Sequence, residues 1–199
     1  TIKEVLTNPM MSGECNISLD MFIMNTDFLK QIVLEAISKN QKSLIRDVLQ
    51  ARKDEFVFKA YEHKGSFFKI DSLEAYYKAN LALLDAKKRD SIFNREAPIY
   101  TKVGDNAPVK YGLESNVKNS LVADGCMIEG TVENCVLFRG VKIGKNAVIR
   151  NCVLMQGTEI ADGCSIDSIV ADKNVTISEN RVLTGSSEYP LYLGKKAKI

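Results

Sequence analysis

Residues 134–150 (NCVLFRGVKIGKNAVIR) and 151–167 (NCVLMQGTEIADGCSID) decide the fold, because they are two copies of one 17-residue pattern. Both copies place Asn, Cys, Val, Leu, Gly, Ile and Ile at equivalent positions, and further copies begin at Asn119 and Ser168. Aliphatic residues also recur every six positions: Leu137, Ile143, Ile149. Such hexapeptide spacing is typical of a parallel β-solenoid, in which each coil buries its aliphatic side chains by stacking on its neighbours.

One position of the repeat predicts a sharp corner in every coil. It holds Gly125, Gly140, Gly157 and Asn174 in successive copies. These are the residue types that enter the left-handed region of backbone conformation at low cost, so we expect φ above zero at all four. The alternative interpretation is an ordinary antiparallel sandwich whose spacing arises by chance.

The overall composition indicates a globular protein and excludes some partner classes. The chain has 199 residues, of which 45% are hydrophobic and 26% charged, and its formal net charge is +2. That charge is too small to indicate a nucleic-acid or membrane partner, and no apolar run approaches the ~20 residues of a bilayer span. The first residues lack the order of a signal peptide. We therefore expect a cytoplasmic protein.

The cysteines argue against a disulfide framework and against a zinc site. There are five of them, without a C-x-x-C pair, and there is one histidine. Cys135 and Cys152 occupy the same place in successive coils. We interpret them as small buried hydrophobic residues in a reducing compartment, and leave open whether they ever bridge.

The first 96 residues have a different pattern, in which helices and strands alternate. Helical spacing follows the start signals at Asn25, Ser43 and Ser72. Three segments read as strands: Leu19 to Met24, Glu55 to Tyr61, Phe67 to Ile70. Three strands are few for a complete α/β sheet, so we expect either a partner at the open edge or a chain that is the C-terminal part of a longer protein. Residues 97–112, rich in Pro and Gly, are predicted to be a linker, and 113–199 the solenoid.

A search for catalytic chemistry finds no convincing constellation. Residues 140–145 resemble a phosphate-binding loop only superficially, since the spacing is one residue short and Asn146 stands where Ser or Thr is needed. The histidine, His63, lies well before the coils, so it cannot serve as the base that projects from the coils of solenoid acyltransferases. We predict no catalytic residue and no metal ligand.

Several motifs together resemble a known family. They are Gly65-x-Phe67, Tyr76-Tyr77-Lys78-Ala79-Asn80-Leu81, Pro98-Ile99-Tyr100-Thr101 and the hexapeptide repeat. In this combination the chain resembles the C-terminal half of bacterial glucose-1-phosphate adenylyltransferase (ADP-glucose pyrophosphorylase). The resemblance implies the C-terminal part of a nucleotidyltransferase-like α/β domain in residues 1–96, followed by a left-handed parallel β-helix. The family makes ADP-glucose for glycogen from ATP and glucose 1-phosphate with magnesium, and its Gly-rich nucleotide loop has no counterpart here.

The sugar-phosphate and metal positions of the family are degenerate in this chain. Asn8 replaces the lysine of the family's I-x-x-F-x-E-K-P motif. The family's S-M-G-x-Y keeps Ser18 but has Phe22 in place of the tyrosine. The family's G-Y-W-x-D-V-G-T becomes a segment with Phe67 at the tryptophan position and Lys69 at the aspartate position. The resemblance gives that aspartate a role in holding magnesium, and an ammonium cannot take it over.

These losses, beside an intact solenoid, resemble the non-catalytic D-type subunit of glycogen biosynthesis. The resemblance implies a regulatory chain without a cofactor of its own, which assembles with a catalytic adenylyltransferase subunit as a homo- or hetero-oligomer. Two alternatives stay open: a solenoid module that only supports oligomerisation, and a truncated piece of an active adenylyltransferase.

Overall fold

The chain forms two compact units, Thr1–Lys64 and Gly65–Ile199. The structure is a computed structural model that describes residues 2, 5, 16–101 and 103–199. Within these described residues, no helix is long and apolar enough to cross a membrane.

The second unit contains the predicted parallel β-solenoid, which is confirmed. Three five-stranded parallel sheets form its sides, and consecutive strands along the chain belong to different sheets. The first sheet consists of β1 (Lys110–Tyr111), β4 (Met127–Ile128), β7 (Lys142–Ile143), β10 (Glu159–Ile160) and β13 (Thr176–Ile177). The second consists of β2 (Asn116–Lys118), β5 (Thr131–Glu133), β8 (Val148–Arg150), β11 (Ser165–Asp167) and β14 (Val182–Thr184). The third consists of β3 (Leu121–Val122), β6 (Val136–Leu137), β9 (Val153–Leu154), β12 (Ile169–Ala171) and β15 (Leu191–Leu193).

The hexapeptide period places one inward aliphatic residue on each side of every coil. Ile143 pairs in register with Ile160 on the first sheet, and Ile149 with Ile166 on the second. These side chains belong to one buried cluster that runs along the solenoid axis. Stacking therefore removes from water the apolar surface that a single coil would expose.

The predicted corners are confirmed. Gly125, Gly140, Gly157 and Asn174 have φ values of 73°, 68°, 69° and 58°. The residue that begins each copy, an asparagine or Ser168, lies in the same left-handed region, with φ of 54° at Asn134 and 55° at Ser168. Because Asn and Gly enter this region more cheaply than other residues, the sequence marks its corners at both positions.

The cysteines of the solenoid are buried and free. The backbone N–H of Cys152 lies 3.4 Å from the Cys135 sulfur, so the two stacked residues are in contact. Burial raises the pKa of the Cys152 thiol well above its ordinary value. The interpretation of these residues as buried apolar packing agrees with this arrangement.

The segments before the solenoid form helices where the start signals lie. They are α1 (Thr26–Ser38), a π-helical turn (Leu44–Gln50) and α2 (Leu73–Ala82). A further helix that the sequence did not predict, α3 (Ala86–Ile92), follows. Asn25 caps α1, with its side-chain oxygen 2.8 Å from the N–H of Asp27, and Ser72 caps α2 at 3.0 Å from the N–H of Ala75.

The three predicted strands before the solenoid are wrong. Leu19 to Met24, Glu55 to Tyr61 and Phe67 to Ile70 have no strand structure. Large apolar residues of these segments stay exposed, including Ile23 and Tyr61. A strand needs a neighbour that completes its backbone hydrogen bonds, and among the described residues these segments pair with no strand. Phe58 accepts one backbone hydrogen bond, from the N–H of Ile2 at 2.8 Å, which is too little to form a ladder.

The predicted domain bounds stay a prediction, although two features are placed differently. The first solenoid strand, β1, falls inside the predicted linker 97–112, since Lys110 donates its backbone N–H to Cys126. Helix α2 falls inside the predicted first domain, 1–96, but its buried face packs on the solenoid. Pro and Gly indicate irregular backbone, but they do not say where the next strand begins.

Candidate functional site

The degenerate sugar-phosphate positions are distributed over both units. Ser18 and Phe22 belong to the first unit, and Phe67 and Lys69 to the second. Asn8 lies outside the described residues.

In the first unit, Ser18 stabilises a tight backbone turn. Its hydroxyl donates to the Asp20 carboxylate at 3.1 Å and accepts from the Asp20 N–H at 3.1 Å. Asp20 lies at the position where the family's S-M-G-x-Y motif has glycine, and it has a φ of 56°. Asp tolerates this region better than most residues, so the exchange for glycine keeps the turn. Phe22 follows with its ring partly exposed and carries no hydroxyl.

In the second unit, Lys69 lies on an irregular segment directly before α2. Its ammonium is 3.4 Å from the Asp71 carboxylate, and the Lys69 side chain is 63% exposed. An exposed pair of this kind contributes little to stability. Phe67, two residues earlier, is 51% exposed. The segment thus presents a cation and an aromatic ring to solvent.

These residues do not fit a magnesium site. Magnesium takes oxygen ligands, and the Asp71 carboxylate already has the Lys69 ammonium as its neighbour. Within the described residues, no group of three or more His, Cys, Asp and Glu side chains could hold a metal ion.

Helix α2 ties this segment to the solenoid. Tyr77 is 2% exposed and packs against Val153 and Val170 on the outer face of the third sheet. Its hydroxyl donates to the backbone carbonyl of Asn151 at 2.7 Å. Burial raises the pKa of Tyr77, which keeps this hydroxyl protonated. The helix was expected from the sequence, but its contact with the solenoid was missed.

A ladder of asparagine side chains runs along one corner of the solenoid. The Asn119 amide donates to Asn134 at 2.7 Å, Asn134 donates to Asn151 at 3.4 Å, and Asn151 donates to the Asp167 carboxylate at 3.1 Å. The repeated asparagine was visible in the sequence as a marker of each coil. Its hydrogen bonds follow from the coil stacking, because equivalent residues of adjacent strands lie about 4.8 Å apart.

An open groove of about 490 Å³ lies beside this ladder, where α2 and α3 meet the solenoid corner. Its lining residues are Leu81, Ala82, Leu84, Asp85, Ala86, Lys88, Asn119 and Asn134. None of these is a predicted site position. The groove is therefore separate from Phe67 and Lys69, the degenerate positions of the second unit.

Comparison with known proteins supports the resemblance seen in the sequence. A family model described as GlmU-like, C-terminal hexapeptide matches residues 107–188. Over 178 residues, or 89% of this chain, the chain is 42% identical to the glycogen biosynthesis protein GlgD of Bacillus subtilis (strain 168), of which the match covers 52%. The chain is related to the glucose-1-phosphate adenylyltransferase family.

Two further relatives show the same relation. The glycogen biosynthesis protein GlgD of Geobacillus stearothermophilus is 42% identical over 66% of this chain and 38% of its own length. The glucose-1-phosphate adenylyltransferase of the same organism is 36% identical over 67% of this chain and 35% of its own length. The chain spans about half the length, or less, of the curated relatives it matches.

Proposed function

We propose that this chain belongs to a regulatory, non-catalytic subunit of glucose-1-phosphate adenylyltransferase, which acts in the synthesis of ADP-glucose for glycogen in the cytoplasm. Its partner is a catalytic adenylyltransferase subunit, with which it forms a hetero-oligomer. The chain itself holds neither ATP nor magnesium. The relation to proteins named GlgD, at higher identity than to the named adenylyltransferase of Geobacillus stearothermophilus, supports this assignment.

The main support for the proposal is that Lys69 stands at the position where the family has an aspartate. Nucleotidyl transfer depends on metal to neutralise the charge that develops on the phosphates. An ammonium in place of a metal-binding carboxylate removes a ligand and repels the metal. The ion pair with Lys69 also occupies the Asp71 carboxylate, two residues along the chain, which could otherwise compensate for the loss.

Regulation of a partner requires that the chain contact two states of the catalytic subunit with different affinity. The rate of the catalytic subunit and its response to an effector then change, because binding of this chain favours one of its two states. A solenoid is suited to such a role, since its stacked coils form a rigid surface that does not depend on a bound ligand.

The direct experiment mixes the purified chain with a matched catalytic subunit and measures complex formation by size-exclusion chromatography with light scattering. ADP-glucose synthesis is then measured at saturating and subsaturating glucose 1-phosphate. We expect a complex with an altered rate or affinity, and no synthesis by this chain alone. A stable complex without any kinetic change would favour the oligomerisation module instead.

The substitution Lys69→Asp tests the site assignment, because synthesis by either form would favour the remaining alternative, a piece of an active enzyme. We expect no ADP-glucose synthesis from either the unchanged chain or this variant, since the other site positions are altered too. Lys69→Gln is the matched control, because it removes the charge without adding a metal ligand. Detectable synthesis by the purified chain would overturn the site assignment.

A further inference from the structure

Helix α2 is attached to the solenoid by a small and separate contact. The apolar cluster beneath it consists of Tyr77, Val153 and Val170, with Tyr76 and Leu81 at its edge. The interior cluster of the solenoid shares none of these residues. Loss of the helix would therefore uncover one outer strip of the third sheet and leave the stacked interior intact.

The segments on both sides of α2 add little to its attachment. Residues 65–71 lack regular structure, and Phe67, Phe68 and Ile70 on them are exposed. After α3, residues 93–101 are irregular and mostly exposed. Regions with few buried contacts open at a lower free energy than the core, without global unfolding.

One hydrogen bond favours a single docked position of α2 on the solenoid. The Tyr77 hydroxyl reaches the Asn151 carbonyl, which lies at a corner where Asn151 has a φ of 50°. The N–H of Asn151 is already bonded to Glu133 of the previous coil. Asn151 is partly buried, and a carbonyl that the docked helix covers is costly to leave without a donor, so the tyrosine hydroxyl favours one docked position of the helix.

We propose that α2 is a detachable latch, held on the solenoid by Tyr77, and that its release frees the adjoining segment 65–72, which contains Phe67 and Lys69. In the docked state, Ser72 caps the helix and fixes the end of that segment. In the released state, Val153 and Val170 face solvent while the coils stay stacked. The latch goes beyond the proposed function and does not depend on it.

Hydrogen exchange followed by mass spectrometry tests the latch in the unchanged chain and in Tyr77→Phe. This variant keeps the ring in its pocket and removes only the hydroxyl. We expect the amides of residues 73–82 to exchange about tenfold faster, which corresponds to about 1.4 kcal/mol. The amides of β8 and β11 serve as the internal reference and should keep their rates.

The matched control is Tyr76→Phe, which removes the neighbouring hydroxyl. Tyr76 lies at the edge of the apolar cluster, and Asn80 donates to its backbone carbonyl at 2.8 Å, a bond that the substitution keeps, so loss of the hydroxyl should leave the exchange of α2 within about twofold of the unchanged chain. A second readout is the rate of trypsin cleavage after Lys69, which should rise in Tyr77→Phe and stay constant in Tyr76→Phe.

Two results would overturn the latch. In the first, the amides of α2 exchange only together with those of β8 and β11, which would mean that the helix opens by global unfolding alone. In the second, Tyr77→Phe and Tyr76→Phe behave alike in both exchange and cleavage. Neither readout involves ADP-glucose or a partner subunit, so failure of the latch is distinguishable from failure of the proposed function.

Discussion

Substitutions at two glycines separate backbone strain from steric overlap in the solenoid. Gly140 has a φ of 68°, and a Cβ added there meets no atom within 4 Å. Gly130 has no positive φ, but an added Cβ would lie 2.4 Å from the Ala147 carbonyl oxygen of the next coil. Gly140 is thus required for its backbone conformation, whereas Gly130 is required because there is no room for a Cβ.

The magnitudes follow from these two environments. Gly140→Ala places an L-residue in the left-handed region at about 1–2 kcal/mol, offset by about 0.4–1 kcal/mol from the less flexible unfolded chain. The net loss is about 1 kcal/mol. Gly140→Asn should cost less than about 0.5 kcal/mol, because Asn174 occupies the same corner with a φ of 58°. Gly130→Ala should cost about 3 kcal/mol, since the overlap is with backbone that cannot rotate away.

Urea unfolding followed by far-UV circular dichroism measures these differences as shifts of the midpoint at constant slope. The expected order of stability is the unchanged chain, Gly140→Asn, Gly140→Ala and then Gly130→Ala. The reasoning is refuted if Gly140→Asn is as destabilising as Gly140→Ala. It is equally refuted if Gly130→Ala unfolds at the same urea concentration as the unchanged chain.

Three further predictions concern the interior, a charged turn and a helix cap. Ile149→Ala, at a fully buried position of β8, should lower the free energy of unfolding by about 2–5 kcal/mol in the same urea assay. The Arg46 guanidinium, with the backbone N–H groups of Ser43 and Lys42, holds the pKa of Asp47 well below its ordinary value. Because the folded-state pKa is lowered, the ionised carboxylate contributes stability above about pH 4, and this contribution is lost as pH falls through the folded-state pKa. The free energy of unfolding should therefore fall less between about pH 5 and pH 2 in Asp47→Asn than in the unchanged chain. Equal acid dependence of the two proteins would contradict this. Ser72→Ala removes the cap of α2 and should destabilise that helix by about 1 kcal/mol, seen as faster exchange of its amides without a change in β8.

The solenoid could be predicted from the sequence because the residues that specify its corners and its core recur in each coil. Gly140 and Asn134 mark corners that recur in each coil, and stacking of identical units leaves one register that buries Ile143 and Ile149 together. The strand order therefore follows from the period alone.

The first 96 residues were less predictable because their structure depends on distant contacts. The apolar run from Leu19 to Met24, interrupted by Asp20, indicates a strand, but such a run does not supply the neighbour that a strand needs. Tyr77 lies in the helix that the start signal at Ser72 predicts, while its acceptor, Asn151, lies 74 residues further along the chain. At the degenerate site, the sequence shows the charge of Lys69, but the ion pair that Lys69 forms with Asp71 is seen only in the structure.

The measurement that tests the central claim most directly is the initial rate of ADP-glucose formation by a matched catalytic subunit, alone and with an equimolar amount of this chain. Glucose 1-phosphate is held below the KM of the catalytic subunit. A regulatory subunit with an ordinary coupling free energy should change this rate by about fivefold or more, while the chain alone forms no ADP-glucose. An unchanged rate in a demonstrated complex, or synthesis by the chain alone, would contradict the account.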